Sequence, residues 1–294
     1  MPFLFQDNIL CIQLSLTLMS DSFSYKKLFN LRGKTAVITG ACGILGRHFS
    51  AGLAEAGADL ALLDIRSEGI EELACELRTG YGVKCQAFQC DVSDPVSVKQ
   101  AVATAVETFG GVDILHNNAA GKSNNLDEFF APFEDYSLEQ WRQVMAVNLD
   151  GMFLMAQAVG KQMVAQGRGG SIIQTSSIYG LMSPDHRIYE GSFYLGRQIN
   201  TPAVYSASKA GIVGLTKYLA TYWADKRIRV NTIAPGGTES GQNEEFKHRY
   251  SSRIPMGRMA QANEIVGALL YLSSDASSYV TGQTIAVDGG LEAW

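Results

Sequence analysis

Apolar runs of strand length alternate with segments of helical periodicity from residue 34 onward, and this alternation restricts the fold more than any other feature of the chain. The strand-like runs are Thr35–Thr39, Leu60–Asp64, Cys85–Cys90, Val112–Asn117, Ser171–Ser176, Ile228–Ala234 and Thr284–Val287. The helical segments include Ile44–Ala56, Gly69–Leu77, Pro95–Phe109 and Leu138–Ala165. Strands that alternate with helices form βαβ units, whose parallel sheet is covered on both faces. The pattern predicts an α/β fold: a doubly wound, Rossmann-type parallel sheet of about seven strands, with ligands at the carboxyl ends of the strands.

The first 30 residues do not share this pattern, so we assign 1–30 as an N-terminal tail and 31–294 as a single domain. The stretch from Phe3 to Met19 is apolar, but polar residues interrupt it too often for a membrane-spanning helix. It lacks the basic start and small-residue cleavage site of a secretory signal peptide. Met19 is an alternative start, and we expect the tail to take no part in the chemistry.

The charge balance and the cysteines limit the expected partners. A net charge of −5 without a basic stripe argues against a nucleic-acid surface. The five cysteines are scattered without CxxC spacing, which is typical of reduced thiols in a cytoplasmic protein and predicts no metal site. We therefore expect a cytoplasmic protein that acts on a small molecule and binds neither nucleic acid nor membrane.

A glycine-rich turn joins the first predicted strand to the first helix, with glycines at 40, 43 and 46. Glycine allows a tight turn and close approach of the backbone to a pyrophosphate, which the free N–H groups of the helix N-terminus attract. The second strand ends in Asp64, 18 residues after Gly46, where a carboxylate can accept the ribose hydroxyls of a dinucleotide. A carboxylate there repels a 2′-phosphate, so NAD is predicted over NADP, although Arg66 offsets part of that repulsion.

Tyr205 and Lys209 lie four residues apart at the start of a predicted helix, soon after a strand followed by Ser177. A phenol has a pKa of about 10, and an ammonium one helical turn away favours the phenolate. The hydroxyl of Ser177 can hold a carbonyl or alcohol oxygen beside it. The same spacing recurs at Tyr222 and Lys226, but no serine-ended strand precedes that pair, so we interpret it as structural.

Ordered motifs across 31–294 resemble those of the short-chain dehydrogenase/reductase family. After the glycine turn and Asp64 they are Cys90-Asp91-Val92, Asn117-Asn118-Ala119-Ala120, Val147-Asn148-Leu149, the set Ser177, Tyr205 and Lys209, Ile228-Arg229-Val230-Asn231 with Pro235-Gly236, and Thr281-Gly282 with Asp288-Gly289-Gly290. Their common order is much more specific than any one of them. The resemblance implies a compact, single-domain oxidoreductase that binds a dinucleotide.

The resemblance also assigns roles to individual residues. Tyr205 would donate or accept the proton at the substrate oxygen, and Lys209 would bind the nicotinamide ribose and lower the phenol's pKa. Ser177 would position the substrate, with Ser176 left as a structural hydroxyl, and Asn148 would hold a water in the proton path. The implied cofactor-binding residues are Gly40, Gly43, Ile44, Leu45, Gly46, Asp64, Asp91, Val92, Asn118, Ala119, Tyr205, Lys209, Pro235 and Gly236.

Several residues have alternative interpretations from the sequence alone. Asn148 could satisfy buried backbone groups, and Asp91 could cap the turn before the next helix. Asp288 is interpreted as structural. The glycine spacing departs from the compact branch and is more like the extended branch, which includes sugar-nucleotide epimerases and dehydratases. An epimerase or dehydratase that retains NAD, and a non-catalytic dinucleotide sensor, therefore remain alternatives.

The segment from Ser177 to Tyr205 spans 28 positions, which is longer than is usual in the family, and its extra part lies at about 183–201. We predict that this insertion lines the substrate site, with a surface or subunit contact as the alternative. The predicted substrate residues are Lys122, His186, Arg187 and Gln242.

The polar residues expected around the site favour a sugar, sugar acid, polyol or sugar nucleotide. The run that begins at Ser177 is also similar to reductases of bacterial surface-sugar pathways. The family resemblance further implies a homotetramer or homodimer formed through helices near 138–166 and 203–225.

Overall fold

The computed structural model describes residues 24–123, 125–194 and 196–294. Its main sheet has seven parallel strands in the order β3-β2-β1-β4-β5-β8-β9. Their bounds are β1 Thr35–Thr39, β2 Asp59–Asp64, β3 Cys85–Gln89, β4 Ile114–Asn117, β5 Gly170–Thr175, β8 Ile228–Pro235 and β9 Thr284–Val287. A separate antiparallel pair is formed by β6 Phe193–Tyr194 and β7 Arg197–Gln198. The predicted doubly wound α/β sheet is confirmed.

Helices cover both faces of this sheet. They are α1 Ile44–Glu55, α2 Ile70–Tyr81, α3 Pro95–Phe109, α4 Leu126–Phe129, α5 Leu138–Met145, α6 Gly151–Gln166, α7 Ala203–Tyr222, α8 Glu244–Ser251 and α9 Val266–Ser273. Helices α1, α2 and α9 pack in one apolar core, and α3, α6 and α7 pack in a second core on the opposite face. Along β1, Ala36 and Ile38 point into the first core and Val37 into the second, as strand alternation requires.

The long helix predicted at 138–165 is not continuous. A π-helical turn, Ala146–Asp150, lies between α5 and α6. A π turn widens the helix locally and is frequent at functional sites. The sequence pattern did not predict the β6–β7 hairpin or helices α4, α8 and α9.

The predicted N-terminal tail lies outside the described residues up to residue 23, and the remainder leads into a short 3₁₀ helix, Tyr25–Phe29. Among the residues that the structure describes, no helix is long and apolar enough to cross a membrane. The same residues contain no cluster of potential metal ligands.

The strand order reverses beside β1, whose neighbours are β2 and β4. Loops that leave the carboxyl ends of these strands diverge to opposite faces, which opens a crevice at this position. The glycine turn after β1, Asp64 at the end of β2 and Asn118 after β4 all lie at this edge.

Candidate active site

A cleft of about 1030 Å³ lies at the carboxyl edge of the sheet. Its lining includes Gly40, Gly43, Ile44, Leu45, Gly46, Asp64, Asp91, Val92, Asn118 and Ala119, all of them predicted cofactor residues. Gly236 lies in an adjoining cavity, and Pro235 is buried at the end of β8. The structure thus brings the predicted cofactor loop together in one cleft.

The glycine turn has a conformation that only small residues permit. Gly40 has φ +65°, in the left-handed region that favours glycine. A Cβ atom at Gly46 would lie 2.1 Å from the carbonyl oxygen of Gly40, which no real contact allows. The first turn of α1 therefore packs directly on the β1 turn, and its free N–H groups stand at the cleft. This arrangement fits a pyrophosphate.

Asp64 lines the cleft with a side chain that is only 5% exposed, and hydrogen bonds hold its carboxylate in place. Its Oδ2 accepts a hydrogen bond from the Cys42 N–H at 2.9 Å, which ties the carboxylate to the glycine turn. Its Oδ1 accepts from the backbone N–H and the Nε of Arg66, at 3.1 and 3.2 Å. The guanidinium is 57% exposed, so the cleft carries a buried carboxylate and an exposed cation side by side.

Two further contacts fix the walls of this cleft. The Thr39 hydroxyl oxygen accepts from the backbone N–H groups of Asn118 and Ala119, each at 2.9 Å, which joins the ends of β1 and β4. Asp91 lines the cleft and also accepts from Ser93, at 2.9 Å from the backbone nitrogen and 2.6 Å from the hydroxyl. Asp91 therefore has both predicted features: it caps a turn and it faces the cleft.

Tyr205 lies near the start of α7 and lines a second cavity, of about 460 Å³, together with Ser177. Burial raises the pKa of Tyr205, and a side-chain hydrogen bond with Ser177 opposes that rise. The direction is opposite to the lowering that the Lys209 spacing predicts, because burial outweighs the favourable interactions within the protein. The phenol is therefore protonated at neutral pH in the protein alone.

Lys209 lies beneath Tyr205 and is almost fully buried. Its Nζ donates to the Thr175 carbonyl oxygen at 3.0 Å and lies 5.9 Å from the centre of the Tyr205 ring. Burial lowers the pKa of the ammonium to about 8. The hydroxyl of Ser176 donates to the backbone oxygen of Lys209 at 2.7 Å, so Ser176 is the structural hydroxyl that the sequence predicts.

Asn148 lies in the π turn and is fully buried. Its Oδ1 accepts from the Gly121 N–H at 2.8 Å, which fixes the loop after β4. Its Nδ2 has no hydrogen-bond partner among the described residues, and buried amide nitrogens are rarely left so. The side chain thus satisfies a backbone group, as the alternative interpretation proposes, and keeps a donor that a water in the proton path would use.

The insertion forms a wall of the second cavity. Tyr189, Phe193, Ile199, Asn200 and Thr201 line it from the insertion, and Gln242, Phe246 and Tyr250 line it from the α8 region. Arg249 of α8 binds Glu190 at 3.1 Å, and Asn200 donates to the backbone oxygen of Phe130 at 2.9 Å. Arg197 forms an ion pair with Asp127 of α4. The insertion is thus attached to both sides of the cavity.

Two predicted substrate residues lie elsewhere. His186 and Arg187 are exposed and do not line the cavity, and the Arg187 guanidinium is paired with Asp185, with Nη2 and Oδ2 at 2.7 Å. The prediction that they are substrate residues was therefore wrong. For Arg187 the reason is the carboxylate of Asp185, which holds the guanidinium on the surface. Lys122 and Gln242 do line the cavity.

The expected polar rim is also only partly correct. Of the described side chains, eight aromatic ones line the cavity: Phe129, Phe130, Tyr179, Tyr189, Phe193, Tyr205, Phe246 and Tyr250. Neither loop composition nor spacing identifies them, because they come from five separate segments that meet only in the fold. The weaker signal that the sequence does offer is the presence of aromatic residues in both the insertion and the segment 244–251.

Comparison with known proteins agrees with this architecture. The family profile described as enoyl-(acyl carrier protein) reductase matches residues 40–292. The chain belongs to the short-chain dehydrogenase/reductase family. It is 37% identical to a D-threitol dehydrogenase of Mycolicibacterium smegmatis, over 89% of this chain and 94% of the relative.

Other relatives differ in their cofactor. An NADP-dependent mannitol dehydrogenase of Alternaria alternata is 36% identical, over 90% of this chain and 94% of its own length. A short-chain dehydrogenase of Leptospira borgpetersenii, solved with bound NAD⁺, is 32% identical with a TM-score of 0.77, over 90% of this chain and 94% of that one. Family membership therefore supports a nicotinamide dinucleotide without deciding between NAD and NADP.

As a short-chain dehydrogenase/reductase, the protein is an oxidoreductase acting on CH–OH groups. The cleft and the cavity share Ala120, Gly121, Lys122 and Ser240 in their linings, so they form one continuous site. A dinucleotide in the cleft would reach the hydroxyls of Tyr205 and Ser177 through this junction. The second Tyr-Lys pair lies away from the site: Tyr222 is 61% exposed and stacked on Tyr218, and Lys226 is paired with Asp225. That pair is structural, as predicted.

Proposed function

We propose that this protein is an NAD(H)-dependent dehydrogenase that interconverts a secondary alcohol and a ketone on a polyol or similar carbohydrate. The observation that carries the proposal is the continuous site, in which Tyr205 and Ser177 line one cavity that joins the nucleotide cleft. A bound nicotinamide supplies hydride transfer, and the protein supplies orientation and proton transfer.

The proton transfer is assigned to Tyr205. Its hydroxyl donates to the developing alkoxide in reduction and accepts the alcohol proton in oxidation, while the Ser177 hydroxyl orients the same substrate oxygen. The Lys209 ammonium adds positive charge behind the phenol and would bind the cofactor ribose. Asn148 would hold the water through which the proton reaches solvent. Helix α1, Asp64 and Asn118 would hold the rest of the dinucleotide.

A carbohydrate-like substrate is supported by the cavity and by the relatives. Within the described parts of the chain, no residue that lines the cavity is acidic, and the side chain of Lys122 is the cation there. Such a wall suits a neutral or singly charged molecule with several hydroxyls better than the diphosphate of a sugar nucleotide. Relatives named for threitol and mannitol act on such molecules.

NAD(H) is proposed as the preferred cofactor because Asp64 is buried at the cleft and held by Cys42 and Arg66. A fixed carboxylate repels a 2′-phosphate. The Asp64→Ser variant should therefore shift the ratio of kcat/KM for NAD⁺ to that for NADP⁺ by at least about 10-fold toward NADP⁺. An unchanged ratio would mean that residues other than Asp64 determine the choice between NAD and NADP. The matched Arg66→Ala variant should shift the ratio in the opposite direction.

The function is tested by following NADH formation with threitol, xylitol, mannitol, gluconate and a 3-hydroxyacyl thioester. We expect turnover of at least one polyol, lost in Tyr205→Phe. Turnover of the thioester alone would refute the carbohydrate proposal. Cofactor that stays bound through many turnovers would favour the epimerase or dehydratase alternative, and cofactor binding without turnover would favour the sensor.

We also propose that the protein assembles through α6 and α7. Phe153 is 46% exposed on α6, and Tyr218 and Tyr222 are stacked at more than 60% exposure on α7. Exposed aromatic residues on long neighbouring helices are typical of subunit contacts. Light scattering of wild-type protein and of Tyr218→Glu should show a dimer or tetramer that dissociates in the variant. A wild-type monomer would contradict the proposal.

A further inference from the structure

Among the side chains that the structure describes, three phenols besides Tyr205 line the substrate cavity: Tyr179, Tyr189 and Tyr250. They come from the turn after β5, from the insertion and from α8. Tyr189 and Tyr250 are 6% and 4% exposed. The proton-transfer chemistry assigned above uses none of them, so their presence in one wall requires another explanation.

Packing fixes the rings of this phenol wall, Tyr179, Tyr189 and Tyr250. The Tyr189 ring stacks on Phe246 with centres 5.6 Å apart, and Phe246 lies 5.5 Å from Tyr250. A Cβ atom at Gly237 would lie 2.3 Å from Cε1 of Tyr250, so a glycine is needed for that ring to occupy its place. Rings held in this way present their hydroxyls in fixed positions, at little entropic cost when a ligand binds.

The three hydroxyls of the phenol wall are uncharged, because the pKa of each phenol is raised. The Tyr189 hydroxyl lies 2.5 Å from Oγ1 of Thr201, at the C-terminal end of the insertion. Burial, and then the neighbouring phenols Tyr189 and Tyr250, raise the pKa of Tyr179, and burial also raises the pKa of Tyr250 to about 12. Each phenol therefore keeps its proton at neutral pH and can both donate and accept a hydrogen bond.

A wall of neutral hydroxyls matches the hydrogen-bonding pattern of a substrate that carries hydroxyls itself. A site built to bind a hydroxyl rejects the analogue that lacks it, because the buried polar groups of the protein then stay unpaired. The cavity volume of about 460 Å³ lies in the range of small-molecule sites.

We propose that the phenol wall is a specificity determinant that binds hydroxyls on the carbons next to the reacting carbon. The enzyme then selects vicinal polyols, and the corresponding hydroxyketones, over mono-alcohols of the same length. Tyr189 is the residue through which the insertion contributes to this selection. The inference rests on the proposed alcohol–ketone function at Tyr205.

The test compares D-mannitol with 2-hexanol, which have the same number of carbons, in the wild-type protein and in the Tyr189→Phe and Tyr250→Phe variants. Each substitution removes one hydroxyl and keeps the packed ring. The ratio of kcat/KM for mannitol to that for 2-hexanol should fall about 5- to 10-fold in each variant, mainly through the KM for mannitol. Tyr279→Phe, at a fully exposed position, is the matched control and should keep the wild-type ratio.

The Thr201→Val variant tests the role of the Tyr189 hydroxyl in a second way, because it removes the hydrogen-bond partner of that hydroxyl without altering a ring. It should lower the ratio in the same direction. Thermal midpoints and cofactor binding, measured by quenching of protein fluorescence, report whether each variant is folded.

Equal losses on both alcohols would overturn the inference, since a purely structural role lowers turnover without changing selectivity. An unchanged ratio in all three variants would overturn it as well. Wild-type protein that is active on alcohols but does not prefer the polyol would have the same consequence. Wild-type protein that oxidises no alcohol with NAD⁺ or NADP⁺ would instead refute the proposed function, and this result is visible before any variant is made.

Discussion

The nucleotide cleft and the substrate cavity adjoin but are built differently. Backbone forms the part of the cleft that fits a pyrophosphate, namely the glycines at 40 and 46, the first turn of α1 and the ends of β1 and β4, and the side chains of Asp64 and Asp91 lie beside it. Side chains form the cavity, and they come from α4, the turn after β5, the insertion, α7 and α8. A backbone-built site tolerates no added atoms, whereas a side-chain-built site can change its ligand by substitution at its walls. One chain can thus keep its cofactor class while its substrate changes.

The largest expected effect falls on the side-chain half. Tyr205→Phe removes the proton donor, so kcat should fall by about 10²- to 10⁴-fold with cofactor affinity retained. Tyr222→Phe is the matched control, because Tyr222 lies on the same helix as Tyr205 and four residues before a lysine, but is exposed. Steady-state kinetics of both variants check this. Comparable losses in the two would mean that spacing, and not the cavity, sets the role of Tyr205.

The buried ammonium of Lys209, beneath Tyr205, should make the stability of the fold depend on pH. The pKa of Lys209 is about 8 in the folded protein, below its ordinary value of 10.5. Between these values the unfolded chain binds more protons than the folded one, so this group's contribution to stability rises with pH from about 8 to 10.5. The gain should reach about 3 kcal/mol for wild type relative to Lys209→Met. Urea unfolding at pH 7, 9 and 10.5 measures it, and parallel pH profiles would contradict the assignment.

The cleft should respond to a single added methyl group. Gly46→Ala forces a Cβ to within 2.1 Å of the Gly40 carbonyl oxygen. We expect a loss of about 1–3 kcal/mol in the free energy of unfolding, with at least about 10-fold weaker NADH binding. Gly267→Ala, in α9, is the control and should be neutral or stabilising, because the added Cβ meets no described atom within 4 Å beyond its own helix and chain neighbours. Calorimetry and fluorescence titration distinguish the two.

The smallest effect concerns the attachment of the insertion. Arg197→Gln removes the exposed ion pair with Asp127, so the substrate KM should rise about two- to threefold at low salt. The difference should disappear at 1 M salt, where exposed pairs are screened. Lys226→Gln removes another exposed pair, outside the cavity, and should leave KM unchanged. A salt-independent rise for Arg197→Gln would indicate a packing role instead of an electrostatic one.

The same contrast explains what the sequence predicts. Strand–helix alternation is a local property, so it predicts the seven strands of the main sheet and the glycine turn between the first strand and helix. Asp64 and the Tyr205–Lys209 pair follow from their short spacing to these elements. The cavity depends on contacts between distant segments. Arg187 was assigned to the substrate from its place in the insertion, but Asp185 holds it on the surface. Tyr250 was not recognised, since its role depends on Phe246, Gly237 and a helix that the periodicity did not show.

The π turn at Ala146–Asp150 has a consequence for chain length. A π turn holds one residue more than an α turn, so it is equivalent to an insertion of one residue into a regular helix. Deleting a single residue there would let the helix close into regular α geometry, so the local widening that holds Asn148 would be lost while the helical segments on either side keep their phase. The Oδ1 of Asn148 would then lose the Gly121 N–H without any change to either residue. Residue count within this turn, and not side-chain identity alone, therefore maintains the contact between Asn148 and the loop that borders both halves of the site.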